Sequence, residues 1–557
     1  MTKNKWWQNA VIYQIYPQSF QDSNNDGIGD LHGIIKRLPY LKKLGVDVLW
    51  LNPIYQSPLK DNGYDIADYK KILPEYGTMS DFDDLLKAVH AHGLKLLMDL
   101  VVNHTSDQHQ WFQESKKSKD NKYADYYMWR DPVDGHEPNN WHAAFGGSAW
   151  TYVPERGQYY LHLFAPGQPD LNWENPEVRE SVWDIMRFWL DKGIDGFRMD
   201  VINLISKPAG LPDAPEPGTY PLTEGLVADG PKLNDYLQEM NEKVLSHYDV
   251  MTVGEMPSST PEDAINYTGL DSHELNMVFQ FQHVALEPNP DKRLGKWNDQ
   301  PVKLPELKNA LSRWQKALDG KGWNSLYWNN HDQPRAVSRF ANDDHKYRVR
   351  AAKMLGTTLH MMQGTPFVFE GEELGMANVH YTAIDQYEDL ESINAYRELV
   401  TEKKLVDGPT MLKYLSNMSR DNARTPMPWN DGENAGFSDV KPWFALNPTY
   451  KEINTENEVN DKDSVFYHYQ KLIQLRHDSD LIKFGTYEEI DPEDAQVFAY
   501  RRHYQGKTLL VMGNFTADTV KRDYGQQEAD ELVISNYDDD KGKELRPYES
   551  KVYLIND

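Results

Sequence analysis

Four short apolar runs in this chain end in polar or charged side chains, and this recurrence limits the possible folds more than any other feature. The runs lead to His104, Asp200, Glu255 and Asp332. In a (β/α)8 barrel the strands are parallel, and active sites form where their carboxyl ends meet the following loops. The recurrence therefore predicts a barrel with these four side chains gathered at one end.

The run from 196 to 202 places an arginine and an aspartate on the same face of a strand. Side chains alternate across a strand, so Arg198 and Asp200 point one way while Met199 and Val201 point the other. A guanidinium beside a carboxylate favours the ionised form, which can act as a nucleophile or stabilise positive charge. Taken alone, the pair could equally be a buried structural ion pair.

Eight strand-like runs are predicted, and most adjoin segments with helical periodicity. One such segment, 80–91, repeats apolar residues at three- and four-residue spacing behind a serine that could cap the helix. Alternation of strands and helices favours a parallel barrel. The runs are 11–17, 48–53, 95–103, 196–202, 251–255, 274–282, 324–328 and 365–369.

Two interruptions divide the chain into three parts. The stretch 104–172 is rich in Trp, Tyr, Pro and Gly and is too long for a plain loop, which predicts an inserted small domain after the third strand. From about 480 onward β-type runs replace the alternation. We therefore predict an α/β fold: a (β/α)8 TIM barrel (1–103 and 173–480), an inserted domain (104–172) and a C-terminal antiparallel β-sandwich (481–557).

Composition excludes several functional classes. The 557-residue chain carries a net charge of −27, and such acidity repels phosphate backbones, so we expect no nucleic-acid partner. No run approaches the ~20 apolar residues of a membrane span, and the first residues lack the apolar core of a signal peptide. The chain has no cysteine, which suits a reducing compartment, and we expect a cytoplasmic monomer.

The sequence around the strand ends resembles the α-amylase superfamily of retaining glycoside hydrolases, glycoside hydrolase family thirteen. The matching motifs are 99–104 (DLVVNH), 196–200 (GFRMD), 254–255 (GE) and 330–332 (NHD). Further stretches narrow the resemblance to the oligo-1,6-glucosidase and dextran glucosidase group, with trehalose-6-phosphate hydrolases as close relatives. These stretches are 168–172 (QPDLN), 251–255 (MTVGE) and 419–426 (SRDNARTP), and 376–444 resembles the group's helical excursion late in the barrel.

The resemblance implies that Asp200 is the nucleophile, Glu255 the general acid/base and Asp332 a third carboxylate that stabilises the transition state. Retaining glycosidases hold two carboxyl groups about 5–5.5 Å apart, one to attack the anomeric carbon and one to protonate the leaving oxygen and then activate water. The neighbours suit these roles, because Arg198 should lower the pKa of Asp200 whereas Glu255 has no basic neighbour in sequence. Helix caps or salt bridges at the barrel rim are the alternative.

The resemblance also implies a pocket for one glucose unit. His104 and His331 would donate to its hydroxyls, and neither histidine has metal-site spacing. Tyr64 would stack on the sugar face, Asp61 would bind hydroxyls at the non-reducing end, and Arg420 would complete this clamp. A closed, charged pocket end selects a terminal sugar, so exo action is expected unless the loop is simply solvated.

Val201 directly follows the predicted nucleophile and is expected to favour α-1,6 over α-1,4 linkages. In the resembling group Val accompanies α-1,6 action, whereas α-1,4-acting relatives tend to carry Ala. The strand should end here, so twist into the loop can bring the side chain near the aglycone; barrel packing is the alternative. Two departures, Glu370 for the usual Gln and Gln282 for His or an acid, are expected to line the region beyond the cleaved bond.

Oxygen-bearing side chains recur at alternate positions in 22–30, with glycines for a tight turn. This pattern resembles a Ca²⁺ loop, although Gly33 stands where an EF-hand places its last glutamate. The resembling group often carries one Ca²⁺ here, and a metal-free Asx-rich turn is the alternative. The implied ligands of this structural Ca²⁺ are Asp22, Asn24, Asp26, the Ile28 carbonyl and Asp30.

These features together predict a retaining exo-acting α-glucosidase that cleaves α-1,6 bonds at the non-reducing end of isomalto-oligosaccharides or dextran fragments. A trehalose-6-phosphate hydrolase would need a cationic phosphate pocket, which the sequence does not locate. A transglycosylase or sugar isomerase would exclude water from the second step, and no feature requires this. A non-enzymatic relative is disfavoured because all three carboxylates are present.

Overall fold

Eight parallel strands form the centre of the computed structural model, which describes residues 5–215 and 226–556. Each predicted run contains one of these strands, which confirms the predicted barrel. The hydrogen-bonded order is β6-β5-β4-β3-β2-β1-β8-β7. The strands are β1 (Ile12–Ile15), β2 (Val48–Leu51), β3 (Lys95–Val101), β4 (Gly196–Asp200), β5 (Met251–Glu255), β6 (Met277–Phe279), β7 (Ser325–Leu326) and β8 (Thr365–Phe369).

Side-chain hydrogen bonds join β7 to the neighbouring strand β6. Ser325 Oγ donates to the Val278 carbonyl at 2.7 Å, and Tyr327 Oη donates to the Gln280 carbonyl at 2.5 Å. Because β6 and β7 are the two ends of the hydrogen-bonded order, these contacts close the barrel.

A helix follows each barrel strand along the chain. The predicted helix at 80–91 is observed at Met79–Ala91 and buries the four apolar residues that predicted it. The predicted serine cap is wrong, because Thr78 has the extended backbone of an N-cap and its side chain accepts from the Asp81 N–H. The eight helices are Leu31–Leu44, Met79–Ala91, Pro176–Lys192, Leu233–Lys243, Pro261–Thr268, Leu304–Leu318, Arg348–His360 and Val465–Asp478.

Gly196 allows β4 to lie close against β5. Its φ is +144°, and a Cβ at this position would lie 1.8 Å from the Met251 carbonyl oxygen. Only glycine tolerates this backbone and this approach. The resulting registers pair Arg198 with Asp99 of β3 and with Val253 of β5, which brings the predicted site residues to one end of the barrel.

Among the described residues, two larger sheets and two two-stranded ribbons lie outside the barrel, and one of the ribbons pairs Tyr55–Gln56 with Asp68–Ile72. The segment after β3 contains the helix Gln110–Ser115 and a three-stranded antiparallel sheet of Trp129–Arg130, Trp150–Val153 and Gln158–Leu161. The C-terminal region contains the antiparallel sheet that the sequence predicts. Its strands are β9 (Thr486–Ile490), β10 (Val497–Tyr504), β11 (Lys507–Asn514), β12 (Glu531–Ser535) and β13 (Ser550–Asn556), with a ribbon of Val520–Lys521 and Glu544–Leu545.

A long excursion separates β8 from the last barrel helix and meets the inserted segment. Asn394 Nδ2 donates to the Phe145 carbonyl at 2.9 Å, and His142 Nε2 lies 3.5 Å from Glu398 Oε1. The helices of the excursion include Leu390–Tyr396, the π-helix Arg397–Glu402, Gly408–Met418 and Asp421–Arg424.

None of the described helices combines the length and apolar character needed to cross a bilayer.

Candidate active site

Arg198 lies at the centre of the candidate site and contacts three buried carboxylates. Its Nη1 donates to Asp99 Oδ1 at 2.7 Å and to Asp200 Oδ1 at 2.8 Å, and its Nη2 donates to Glu255 Oε2 at 2.6 Å. The three acids come from β3, β4 and β5. Because Asp200 and Glu255 bind one guanidinium, their carboxyl groups are close neighbours, as the roughly 5–5.5 Å spacing of a retaining pair requires.

Both aspartates of this cluster have pKa values above the usual range, and burial is the main cause. Burial raises the pKa of Asp200 well above its usual value, Arg198 opposes this, and Glu255 and Asp99 add to it. Burial likewise raises the pKa of Asp99 to about 6. Arg198 acts in the predicted direction, but the predicted low pKa of Asp200 is wrong, because burial is the largest effect and outweighs Arg198, and the neighbouring carboxylates add to the upward shift. Glu255 has no basic neighbour in the sequence, but in the folded protein Arg198 lies beside it.

Asp332 follows β7 and has a different electrostatic environment. Its Oδ1 accepts from Arg424 Nη2 at 2.7 Å and from Arg420 Nη1 at 3.3 Å, and its Oδ2 lies 3.2 Å from His331 Nε2. Burial alone would raise the pKa of Asp332, but His331 and the two arginines hold it well below its usual range. An ionised Asp332 can therefore stabilise positive charge, whereas burial favours the neutral form of Asp200 in the Arg198 cluster.

The structure brings the predicted clamp residues together. Arg420 Nη2 lies 3.2 Å from Asp61 Oδ1, and Gln168 Nε2 donates to Asp61 Oδ2 at 3.0 Å. The Asp65 carboxylate accepts from the backbone N–H groups of Asp61 and Lys60 at 3.1 and 3.0 Å. Asp65 thus braces the loop, while Asp61 and Arg420 form a buried ion pair, and Arg420 also reaches Asp332.

Tyr64 and His331 are stacked, with ring centroids 5.1 Å apart and an interplanar angle of 3°. Tyr64 Oη donates to Asp99 Oδ2 at 2.9 Å, and Gln14 Nε2 donates to His331 Nδ1 at 2.8 Å. The second bond places the proton of neutral His331 on Nε2, and burial lowers the pKa of His331 to about 4. His331 covers one face of Tyr64, so only the other face could stack on a sugar.

His104 lies at the end of β3, beside the same loop. Its Nε2 is 3.1 Å from the Tyr64 carbonyl oxygen, and its ring centroid is 5.2 Å from that of Phe164. Burial lowers the pKa of His104 to about 4. The imidazole is therefore neutral at pH 7 and acts as a hydrogen-bonding group rather than as a cation.

Val201 adopts a backbone conformation that β-branched residues avoid. Its φ is 34° and its ψ is 43°, and such an outlier usually marks a functional or strained position. The strand ends at Asp200, as predicted. The Val201 N–H donates to Glu255 Oε2 at 3.1 Å, and its side chain packs with Met128, Trp141 and other residues of the inserted segment. Val201 thus connects both candidate catalytic strands to the inserted segment.

Several contact residues of the site were not predicted, among them Asp389, Phe145, Asp99 and Arg424. Asp389 accepts from Arg420 Nε and Nη2 at 2.9 and 2.6 Å, and the Phe145 ring centroid lies 4.8 Å from the Arg420 guanidinium. Asp99 and Arg424 belong to the recognised motifs, so the motifs could have identified them. Phe145 and Asp389 lie in irregular segments, where the sequence carries no periodic signal.

Glu370 does not line an open region beyond the cleaved bond, so that prediction is wrong. It is 1% exposed, and its Oε2 accepts from the Tyr16 N–H at 2.8 Å in the barrel wall. Burial raises the pKa of Glu370 well above its usual value, which favours the neutral carboxyl, a group similar to the glutamine amide usual in relatives. Gln282 is partly exposed, and its N–H donates to Gln280 Oε1 at 2.6 Å.

The predicted calcium loop is folded on its own backbone. Asp22 and Asp30 accept from loop N–H groups at 2.7 to 2.9 Å, and Asn24 and Asp26 accept from the N–H groups of Asp26 and Ile28 at 2.9 and 2.8 Å. Across 5–215 and 226–556 no cluster of three or more His, Asp or Glu side chains forms a ready metal site. Three carboxylates, an amide and a carbonyl nevertheless suit Ca²⁺ chemically.

Comparisons with known proteins agree with this geometry. Residues 14–485 match the family described as "Alpha amylase, catalytic domain". The chain is 55% identical to an oligo-1,6-glucosidase of Halalkalibacterium halodurans, with 99% of each protein covered. It is 51% identical to a trehalose-6-phosphate hydrolase of Bacillus subtilis, covering 99% of this chain and 98% of that protein. The isomaltulose synthase structure from Protaminobacter rubrum superposes with a TM-score of 0.95 at 41% identity, with 100% of both chains covered.

Proposed function

The chain belongs to the α-amylase family and is a glycoside hydrolase, and we propose that it is a retaining, exo-acting α-glucosidase that cleaves α-1,6 bonds. Its substrates are isomalto-oligosaccharides or dextran fragments, from which it removes the non-reducing glucose. The observation that carries this proposal is the shared contact of Asp200 and Glu255 with Arg198, beside the charged pocket end formed by Asp61 and Arg420.

The proposed chemistry is the two-carboxyl mechanism of retaining glycosidases. Asp200 attacks the anomeric carbon while Glu255 donates a proton to the leaving oxygen, and Glu255 then takes a proton from water as it attacks the glucosyl-Asp200 ester. Asp332, held ionised by Arg420 and Arg424, opposes the positive charge that develops on the ring. Exo action follows because the Asp61–Arg420 contact closes the pocket beyond one terminal glucose.

A parallel assay of several glucosides tests the proposal. We expect glucose release from isomaltose and panose, and little from maltose, sucrose or trehalose 6-phosphate. Lys296 comes from the loop after β6, and its Nζ lies 2.6 Å from Glu391, whose carboxylate is 3.6 Å from Arg420 Nε. Glu391 thus offsets the charge of Lys296, the cation that would otherwise be free to bind the phosphate of trehalose 6-phosphate. Preferred release from trehalose 6-phosphate would contradict the α-1,6 proposal.

We expect Val201→Ala to change linkage preference towards maltose. The kcat/KM for isomaltose divided by that for maltose should fall by roughly tenfold, because a few methyl groups are worth about 1–3 kcal/mol in discrimination. The Val201 N–H contacts Glu255, so its stiff side chain lies where it can restrict the aglycone. The measurement is steady-state kinetics on both disaccharides.

Val227→Ala is the matched control for this prediction. Val227 is fully buried in the same apolar cluster, and the substitution deletes the same two methyl groups. We expect it to lower thermal stability without changing the ratio of the two kcat/KM values. If Val201→Ala instead behaves like this control, Val201 is a packing residue and does not set linkage preference.

We further propose that the loop at 22–30 binds one structural Ca²⁺ through Asp22, Asn24, Asp26, the Ile28 carbonyl and Asp30. The loop contacts the end of the excursion, where Ser438 Oγ donates to Asp22 Oδ2 at 2.5 Å. A ligand that binds only the folded state raises Tm by mass action. We expect the metal-depleted protein to melt at a lower temperature, by several degrees, and Ca²⁺ to restore it without changing kcat.

Asp26→Ala separates metal binding from loop structure. Asp26 is exposed, and among the residues that the structure describes its carboxylate accepts only from the nearby Ile28 N–H, at 2.8 Å. Asp22 and Asp30, in contrast, are buried and hold the turn. The variant should therefore melt like the metal-depleted wild type, with or without added Ca²⁺. A wild-type protein that contains no metal by elemental analysis and does not respond to Ca²⁺ would reject the ion.

We also propose that the enzyme works in the cytoplasm as a monomer. A chain without cysteine forms no disulfide, which supports a reducing compartment. Sedimentation equilibrium of the purified protein tests the second part, because a monomer has a mass of 64.6 kDa.

A further inference from the structure

Lys207 is a buried lysine in the loop that follows the nucleophile strand. Its Nζ lies 2.8 Å from Asp170 Oδ2 and donates to Asn103 Oδ1 at 2.9 Å and to the Leu204 carbonyl at 2.8 Å. The side chain is 3% exposed. An ammonium has three N–H donors and no acceptor, so these three acceptors satisfy all of its donors. The contacts connect three parts of the chain: Asn103 just after β3, Asp170 at the end of the inserted segment and Leu204 in the loop after Asp200.

The donor-only ammonium fixes the orientation of the Asn103 amide. Because Lys207 can only donate, the Asn103 atom that faces it must be the oxygen. The Asn103 nitrogen then lies 3.1 Å from His104 Nδ1 and 3.3 Å from Asp170 Oδ2. The Asp170 carboxylate can only accept, which agrees with this orientation. Nδ1 of His104 is therefore an acceptor, and the proton of the neutral imidazole is on Nε2.

The tautomer matters because Nε2 lies 3.1 Å from the carbonyl oxygen of Tyr64, which can only accept. Tyr64 is in the loop that carries Asp61, so the Nε2–H tautomer holds this loop. We propose that Lys207 is a positioning residue for the reaction, which acts through Asn103 to keep the Nε2–H tautomer of His104. This inference rests on the proposed glucosidase function, in which His104 and the Asp61–Tyr64 loop bind the terminal glucose.

Lys207→Met keeps the length of the side chain and removes its donors. The longer 3.3 Å contact with Asp170 then remains to orient the Asn103 amide. When the amide rotates and presents its oxygen to Nδ1, the histidine proton leaves Nε2 and the bond to the Tyr64 carbonyl is lost. We expect kcat/KM to fall by about 10- to 100-fold, the cost of leaving one buried hydrogen-bonding group unpaired. The loss should lie mainly in KM, and His104 in ¹⁵N NMR spectra should change from the Nε2–H to the Nδ1–H tautomer.

A double-mutant cycle with His104→Gln tests whether Lys207 acts through the histidine. If it does, the double variant is no slower than His104→Gln alone, because the histidine that Lys207 positions is already gone. Independent roles would instead multiply the two losses. Multiplied losses, or a Lys207→Met variant within threefold of wild type, would overturn the inference.

Two variants separate positioning from stability. Lys207→Met with Asp170→Asn removes the unpaired buried charge, so folding should recover while kcat/KM stays low; recovery of both would indicate a structural role. Lys308→Met is the matched control, since Lys308 Nζ also donates to three acceptors, the carbonyls of Asp491, Asp494 and Val497, far along the chain from the site. It should lose stability and keep its kcat/KM.

Each assay uses both isomaltose and p-nitrophenyl α-glucoside, because His104 would contact the glucose common to both. If the wild type cleaves only the aryl glucoside, the α-1,6 proposal fails while the Lys207 cycle can still be measured. If His104→Gln is fully active on both, His104 has no role for Lys207 to support, and the inference fails.

Discussion

Asp200→Asn and Glu255→Gln should each reduce hydrolysis of isomaltose by several orders of magnitude, the largest effect expected for this protein. Both replacements keep shape and remove only the group that attacks or the group that donates a proton. The measurement is turnover by enzyme whose fold has been checked by circular dichroism. Product anomers followed by NMR should initially be α, and initial β-glucose would contradict retention.

The stability of Asp200→Asn is itself informative. Burial raises the pKa of Asp200 in the folded protein, so the folded state binds protons more tightly here than the unfolded chain. Such a group destabilises the fold as pH rises above its unfolded pKa. The neutral asparagine removes this cost, and at pH 7 the variant should melt at the same temperature as the wild type or higher.

Glu370→Gln is the matched control for these acid-to-amide changes. Glu370 is also a buried acid after a barrel strand, but its carboxylate accepts from the Tyr16 N–H in the barrel wall, and an amide oxygen can accept the same bond. We expect near-normal turnover. If Glu370→Gln were as inactive as Asp200→Asn, loss of activity in this barrel would not identify the nucleophile.

The sequence predicts the barrel well because its signals are local. Each predicted strand run contains a barrel strand, and polar residues at the carboxyl ends of parallel strands must meet, which is why Arg198, Asp200, Glu255 and Asp332 lie together. Short-range contacts also hold the loop at 61–65, because the Asp65 carboxylate accepts from the N–H of Asp61.

Long-range contacts account for what the sequence did not predict. The excursion brings Asp389 to Arg420 at 2.6 Å, and the inserted segment brings Phe145 over the same guanidinium; neither segment has a repeating pattern that fixes its position. The pKa of Asp200 was predicted from one neighbour in sequence. Its true environment is buried and includes Asp99 and Glu255 from adjacent strands. Burial, with these carboxylates adding to it, reverses the expected shift.

Arg198→Lys should be the second most damaging change. One guanidinium reaches Asp99 and Asp200 through Nη1 and Glu255 through Nη2, at 2.6 to 2.8 Å. A lysine ammonium is a single point charge on a shorter side chain, so it cannot bind carboxylates from three strands at once. We expect kcat to fall by about 10³-fold or more, because the nucleophile and the acid lose their relative positions.

The pH dependence of Arg198→Lys distinguishes electrostatics from general disruption. Arg198 lowers the pKa of Asp200 against the effect of burial, so a weaker contact raises that pKa, and the nucleophile ionises only at higher pH. The acid limb of kcat/KM, which reports the free enzyme, should therefore move to higher pH. Arg476→Lys is the control, because Arg476 is fully buried and donates to the carbonyls of His360 and Met362 at 3.0 Å. It should lower Tm and leave the acid limb in place, whereas an unmoved acid limb in Arg198→Lys would show that Arg198 does not tune the nucleophile.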